Sequence, residues 1–205
     1  MSDYVQALLK RHAASAARLH REGIDRGFLT SLGPMFMAQL YKAIPACRSA
    51  FGYVWEEPDG QVLGSIACTE STGRLYRQAL LRRGLLMALP LARYAFRPRV
   101  IRRMWQTLRY PSQVGKDLPV AEVLSIAVSP AARGKGVGKA LMRAALDEFA
   151  RRGINEVKVA VWAGNERASQ FYARCGFRLA LTRQHHGLPM NVYVIATGSG
   201  PAPGQ

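Results

Sequence analysis

The chain has 205 residues, a length typical of one domain with a substantial hydrophobic core, since domains commonly contain about 100–200 residues. Its three cysteines are scattered and form no CxxC pair, and its four histidines show no metal-ligand spacing, so we expect reduced thiols, no metal site and a cytoplasmic protein. The formal net charge of +16 implies a partner of opposite charge or a large solvated basic surface.

The first half of the chain predicts a strand, two helices and a β-hairpin. We expect the strand at 4–9, the helices at 11–20 and 30–44, and the paired strands at 49–57 and 61–70. The evidence is apolar residues at helical spacing in the second helix, and the turn signal Pro58-Asp59-Gly60 between the two paired strands.

A basic segment follows, because no acidic residue occurs between Glu70 and Asp117. Its eleven basic residues are interleaved with bulky apolar ones, which predicts helices that pack one face on the domain, parted near Pro90 or Pro98. We therefore expect a basic helical insertion at 74–112. This positive charge can bind an anionic partner such as a substrate, can bind an anionic membrane surface, or can simply be solvated. No apolar run reaches the about 20 residues of a transmembrane helix, and no signal peptide is evident.

The second half alternates between strands and helices. Strands are expected at 120–129, 156–162, 177–183 and 190–196, with helices at 135–151 and 166–174. Such alternation predicts an α/β architecture. We expect a single domain at 1–197 and a disordered tail at 198–205, which is rich in glycine and proline.

A glycine-rich basic turn opens the helix at 135–151, in the stretch VLSIAVSPAARGKGVGKALMRAALDEF. Helix N-termini favour phosphate, because their N–H groups are unpaired and the helix dipole is positive there. The turn is not a Walker loop, since Arg133 replaces the first glycine and Ala140 the hydroxyl residue. It is not a dinucleotide fingerprint either, since Lys139 stands at the third glycine position. The remaining pattern is R-x-x-G-x-G: Arg133, Gly136 and Gly138.

This pattern resembles the pyrophosphate loop of the GNAT N-acetyltransferase superfamily, which binds acetyl-CoA. A second segment, NERASQFYARCGF, is similar to another signature of that superfamily, carried here by Asn165, Ala168, Tyr172, Gly176 and Phe177. The two motifs occur in the expected order and on the expected elements. The resemblance implies the GNAT fold, a mixed central sheet with two splayed neighbouring strands flanked by helices, and acetyl transfer from acetyl-CoA to an amine.

The resemblance also implies a set of cofactor-binding residues. Gly136 and Gly138 let backbone N–H groups approach the pyrophosphate, and basic side chains add charge-assisted bonds. Ile126, Ala127 and Val128 would pair their backbone with the pantetheine arm. Asn165, the expected cap of its helix, would also contact the cofactor. The full set in the turn is Arg133, Gly134, Lys135, Gly136, Val137, Gly138 and Lys139.

Two residues are candidates for acid–base catalysis. Glu122 is the candidate base: strand alternation puts it on one face with Leu124, Ile126 and Val128, and burial would raise its pKa. Several members of the family also carry a catalytic glutamate here. Tyr172 is the candidate acid that protonates the leaving thiolate. Cys175 is expected to pack rather than carry an acyl group, so direct transfer is predicted. The alternative for Glu122 is a polar residue at the start of its strand without a catalytic role. The alternative for Tyr172 is a tyrosine that only packs in the hydrophobic core.

The sequence leaves three functions open. The first is acetylation of a small-molecule amine such as an amino sugar. The second is acetylation of protein N-termini or lysines, as in members that act on ribosomal proteins. The third is a non-catalytic CoA-binding fold that contacts membrane or nucleic acid through its basic segment. Nucleic acid is not expected, because the segment has no recognised motif beyond its charge. Peripheral membrane association and a homodimer are compatible with all three.

Overall fold

A mixed β-sheet forms the centre of the protein. The structure, a computed structural model, describes residues 4–24, 30, 32–91, 102, 118–185 and 187–198. The strands, in chain order, are β1 Val5–Ala7, β2 Ala50–Glu56, β3 Val62–Thr69, β4 Glu122–Val128, β5 Glu156–Trp162, β6 Arg178–His185 and β7 Leu188–Ala196. They lie side by side as β1-β2-β3-β4-β5-β7-β6. Neighbours are antiparallel except β4 and β5, which are parallel.

Helices cover both faces of this sheet. The helices are α1 Ala13–Gly23, α2 Pro34–Ala43, α3 Thr72–Leu91, α4 Val137–Arg151 and α5 Glu166–Arg174. Gly153 and Gly176 end α4 and α5 with left-handed backbone, φ +72° and +91°. The α/β architecture and both helix ends were predicted from the sequence and are confirmed.

Two hydrophobic cores lie on opposite faces of the sheet. The α4–α5 core contains Leu141, Ala145 and Phe149, the buried stripe of α4, together with side chains of α5. The α1–α2 core contains residues of α1 and α2, and α3 joins it through Leu75. The sheet therefore has no solvent-facing layer along its centre.

The basic segment is described only in part. Its first helix, α3, is described from Thr72 to Leu91 and includes Pro90, and the break expected near Pro90 or Pro98 stays a prediction. Residues 92–101 and 103–117 of the segment lie outside the described residues, as do residues 199–205 of the expected tail.

A β-bulge interrupts the pairing of β3 and β4. Ala67 pairs with Ser125 and Cys68 with Val123, so that Leu124 has no partner on β3. A bulge of this kind places two consecutive side chains on the same face and reverses the alternation that follows. Ile126 and Val128 accordingly pack against the α4–α5 core, whereas Leu124 and Ala127 pack with the α1–α2 core.

The parallel strands β4 and β5 separate soon after they meet. Their register consists of one pair, Glu122 with Lys158, among the residues that the structure describes. The Lys158 N–H donates to the Ala121 carbonyl at 3.0 Å. Beyond this point the edge of β4 that faces β5 has no strand partner, which leaves a gap between the two strands. The splayed pair expected of the fold is therefore present.

Candidate active site

The glycine-rich turn ends at the N-terminus of α4. Gly134 and Gly136 have φ of +79° and +81°, a conformation that L-residues with a side chain rarely adopt. Gly136 is the N-cap of the helix, and its carbonyl accepts the Ala140 N–H at 2.9 Å. The N–H groups of the first helical turn have no helix carbonyl to bind, and no acidic side chain lies in that turn. The turn can therefore hold an anion.

Basic side chains surround this helix N-terminus. Arg133, Lys135 and Lys139 are exposed. The Arg133 Nε donates to the Val128 carbonyl at 3.2 Å, which ties the turn to the end of β4. An anion bound at the turn would thus lie beside the open end of the gap between β4 and β5.

Ile126, Ala127 and Val128 line that gap with their backbone. They pair with β3 on one side, with Ile126 opposite Ile66 and Val128 opposite Gly64. On the other side no β5 residue pairs with them in the described chain. An extended peptide-like chain could add hydrogen bonds there in the manner of an extra strand.

Glu122 lies at the closed end of the gap, where it is buried at 7% exposure. Its Oε2 accepts a hydrogen bond from Thr72 Oγ1 of α3 at 2.9 Å. Burial raises the pKa of Glu122, while the charges of Lys158 and Arg183 and the Thr72 hydrogen bond act in the opposite direction. A carboxylate with a raised pKa is a better proton acceptor near neutral pH than an exposed one.

The bulge corrects the predicted surroundings of Glu122. The sequence predicts one face shared by Glu122, Leu124, Ile126 and Val128, and this is wrong for the last two residues. The extra residue at Leu124 turns Ile126 and Val128 toward α4, while Glu122 contacts α3 on the opposite face. Glu122 therefore faces the α1–α2 side of the sheet.

Tyr172 lies on the other face, within the α4–α5 core. It is buried at 5% exposure, and its ring packs near those of Phe171, Phe177 and Tyr193. Burial raises the pKa of Tyr172, with smaller contributions from Cys175 and Cys68, so its phenol is protonated at neutral pH. Ala168 and Cys175 belong to the same core, as the helical spacing predicts.

The cysteines near Tyr172 are poor nucleophiles. Burial raises the pKa of Cys175 to about 11 and also raises the pKa of Cys68. Because the thiolate is the reactive form, both residues are inert at neutral pH. This agrees with the packing role expected for Cys175.

Asn165 caps α5. Its Oδ1 accepts the Ala168 N–H at 3.1 Å, which is the cap geometry predicted from the sequence. The cap fixes the start of the helix that carries Tyr172. Its contact with a cofactor remains a prediction.

The sequence analysis did not identify the charged neighbours of Glu122. Lys158 on β5 lies between Val157 and Val159, a pattern that is typical of a strand residue facing solvent, and Arg183 on β6 lies between the polar residues Thr182 and Gln184. Lys158 is instead only 3% exposed. The burial of this face depends on neighbouring strands and on α3, which are distant in sequence and come together only in the folded protein.

Among the residues that the structure describes, no group of three or more histidine, cysteine, aspartate or glutamate side chains could hold a metal ion. In the same part of the chain, no helix is long and apolar enough to cross a membrane.

Comparison with known proteins places this site in context. Residues 26–177 match the model described as the Acetyltransferase (GNAT) family. The mycothiol acetyltransferase of Beutenbergia cavernae is 34% identical over 73 residues, which are 36% of this chain and 25% of that protein. The matched region thus spans about a quarter of the length of this curated relative.

Solved structures share the whole fold. A GNAT-family acetyltransferase from Desulfovibrio desulfuricans superposes with a TM-score of 0.61 at 14% identity, over 94% of this chain and 99% of that one. Arabidopsis thaliana NAA60 in complex with acetyl-CoA gives a TM-score of 0.60 at 14% identity, over 95% and 98%. Identities this low show the fold alone, and the fold expected from the two motifs is confirmed.

Proposed function

The chain belongs to the GNAT acetyltransferase family, and we propose that it transfers the acetyl group of acetyl-CoA directly to a primary amine of a small molecule. Its membership makes it an acetyltransferase, as the two motifs predict, and enzymes of this family use acetyl-CoA. The direct route and the class of acceptor are the parts that we propose.

One observation carries the proposed mechanism. The gap between β4 and β5 has a buried carboxylate, Glu122, on one face of the sheet and a buried phenol, Tyr172, on the other. Acetyl transfer to an amine needs a group that accepts a proton from the amine and a group that gives one to the leaving sulfur. The two faces of the gap supply one of each.

The cosubstrate would lie along the gap. The turn from Arg133 to Lys139 would hold the pyrophosphate through the N–H groups of α4 and the exposed basic side chains. Ile126, Ala127 and Val128 would pair with the pantetheine arm, and Asn165 would contact it from the start of α5. This arrangement would leave the thioester between Glu122 and Tyr172.

The two side chains then act in sequence. Glu122 accepts a proton from the amine, which frees the lone pair that attacks the acetyl carbon. As the carbon–sulfur bond breaks, Tyr172 donates its proton to the departing sulfur, and the second proton of the acetylated nitrogen returns to the Tyr172 oxygen, so that the amide, the free thiol of CoA and protonated Glu122 result. Because Cys175 and Cys68 are protonated thiols at neutral pH, the residues near Tyr172 offer no activated nucleophile for a covalent acetyl-enzyme.

A small, anionic amine is the acceptor that we propose. The basic segment begins with α3, whose Thr72 donates to Glu122, and Arg74 and Arg77 of the same helix are exposed. Arginine suits carboxylate and phosphate because its guanidinium binds them through two parallel bonds. The relatives named mycothiol acetyltransferase also support a small-molecule acceptor.

A thiol-release assay tests the proposal. Purified protein and acetyl-CoA are offered amino sugars, sugar phosphates bearing an amine, polyamines, amino acids and peptides, and free CoA is measured. We expect turnover with a small amine, lost in Glu122→Gln and in Tyr172→Phe. Turnover of peptides alone would favour protein acetylation, and an acetyl group trapped on Cys175 would refute direct transfer.

A further inference from the structure

Lys158 lies at the point where β4 and β5 pair, just before the two strands separate. It is the register partner of Glu122, and its N–H donates to the Ala121 carbonyl at 3.0 Å. Its Nζ donates to the Pro119 carbonyl, a second bond to the chain just before β4. Backbone and side chain of one residue therefore close the apex of the gap.

Packing does not explain a lysine at this position. The residue is only 3% exposed, and burying an ammonium group is unfavourable unless a partner offsets the lost hydration. Ala160, two residues further along the same strand and on the same face, shows that an apolar residue is accommodated there. A buried cation at Lys158 thus calls for a role beyond filling space.

The charges that face Glu122 come from several elements. Lys158 reaches it from β5 and Arg183 from β6, while Thr72 donates a hydrogen bond from α3. The hydroxyl of Thr69, its partner on β3, donates to the Ser49 carbonyl instead. Lys158 in turn interacts with Glu122 and Arg183, so these three ionisable groups are electrostatically coupled.

We propose that Lys158 is a positioning residue for acetyl transfer, which closes the apex of the gap and keeps Glu122 ionised so that it can accept the proton of the amine. The proposal rests on the proposed role of Glu122 as the base. Lys158 itself needs no contact with either substrate. Its Nζ is held instead by the Pro119 carbonyl.

The sign of the expected effect follows from the charges. A nearby cation stabilises the carboxylate form, so its removal raises the pKa of Glu122 further above the ordinary value. A carboxylate base acts only when it is ionised, so kcat/KM of a variant without this cation falls on the acidic side of its pH profile. Activity therefore shifts to higher pH without a loss of acetyl-CoA affinity.

The experiment measures kcat/KM against pH for Lys158→Met, with the acceptor found in the thiol-release assay. We expect its acidic limb to move up by about one pH unit, which is about tenfold in rate on that limb, with recovery at high pH. Lys158→Arg keeps the charge and should keep the limb. Lys10→Met, which removes an exposed lysine near the opposite edge of the sheet, is the matched control and should leave the profile unchanged.

Several outcomes separate this proposal from the proposed function. If Lys158→Met folds and its acidic limb lies at the same pH as that of the wild type, while Glu122→Gln is slow, the proposal is overturned. If Glu122→Gln is as fast as the wild type, the assignment of the base is wrong and the proposal falls with it. Lys158→Gln, which can still donate to Pro119 without charge, replaces the methionine variant if that variant does not fold. Failure of both neutral variants to fold would assign Lys158 to stability and also count against the proposal.

Discussion

A methyl group built on Gly138 would lie 3.2 Å from Cε2 of Phe171. Gly138 is in the first turn of α4 and Phe171 is in α5, so the two sequence motifs meet directly in the folded protein. The same methyl group would lie 3.7 Å from Cγ2 of Val128, at the end of β4. Gly138 therefore allows close packing of these elements, and a larger residue would require the Phe171 ring to move by a few tenths of an ångström, whereas the left-handed backbone accounts for Gly136.

Gly136→Glu should abolish acetyl-CoA binding. The new carboxylate would repel the pyrophosphate at the N-terminus of α4, and calorimetry gives the affinity directly. Gly153→Glu is the matched control, because it places the same residue in left-handed backbone, with open space around it, just after the other end of α4. If folded Gly136→Glu binds acetyl-CoA like the wild type, the assignment of the loop is wrong.

Tyr172→Phe should lower kcat by about 10²–10⁴-fold, the usual contribution of a general acid, and keep the affinity for acetyl-CoA. Because burial raises the pKa of Tyr172, the phenol stays protonated across the assay range, and the loss should be similar at pH 6 and pH 9. Tyr53→Phe removes a hydroxyl from β2 on the same face and serves as the control. An unchanged kcat in Tyr172→Phe would leave Tyr172 as a core residue only.

His20 should make the protein less stable as the pH falls from about 6.5 to about 4. Burial lowers the pKa of His20 to about 4, and its Nδ1 lies 2.9 Å from the Tyr41 hydroxyl. Below pH 6.5 the unfolded chain takes up a proton that the folded chain does not, so the free energy of unfolding rises with pH across this window. The loss should reach about 3 kcal/mol at pH 4.

Urea denaturation of the wild type and of His20→Gln at several pH values checks this effect. Glutamine keeps an acceptor for Tyr41 but does not titrate, so the difference in stability between the two proteins should shrink as the pH falls. A difference that is constant between pH 7 and pH 4 would contradict the neutral, buried state of His20.

Arg102→Gln combined with Arg103→Gln tests the basic segment. Arg102 is exposed, and Arg103 lies outside the described residues. If the segment binds an anionic acceptor, the KM for the acceptor should rise while acetyl-CoA binding is kept. Loss of sedimentation with anionic liposomes would indicate a membrane contact instead.

The control for this pair is Arg18→Gln with Arg21→Gln, which removes the same charge from exposed positions of α1. If neither acceptor KM nor liposome binding changes relative to this control, the two arginines are surface charge. The anionic acceptor would then lose its main support.

Much of the fold could be predicted because apolar residues recur along its helices and strands at the regular spacing of those elements. The stripe of Leu141, Ala145 and Phe149 identifies α4, and Gly153 and Gly176 mark where helices end. The glycine-rich turn was found for a similar reason, since local backbone geometry dictates its residues. These features depend on neighbours in sequence.

The surroundings of Glu122 depend on neighbours in space, and the sequence could not reveal them. The sequence analysis made no prediction for Lys158, which lies between two valines of β5 and is buried in the folded protein. A bulge leaves no signal in strand alternation either, so the reversal at Leu124 was missed. Both features concern which face a side chain takes, and neither concerns which residues form strands.

The bulge at Leu124 gives β4 one residue more than its pairing with β3 requires. A substitution along the strand alters one local environment. Deletion of Leu124 would restore plain alternation and leave Glu122 and Ile126 on the faces they now take, because Val123 and Ser125, which would then be neighbours, already face opposite layers. Leu124 is thus a spare position of the catalytic strand, which can be lost without moving Glu122, whereas deletion of a residue that pairs with β3 would shift the register.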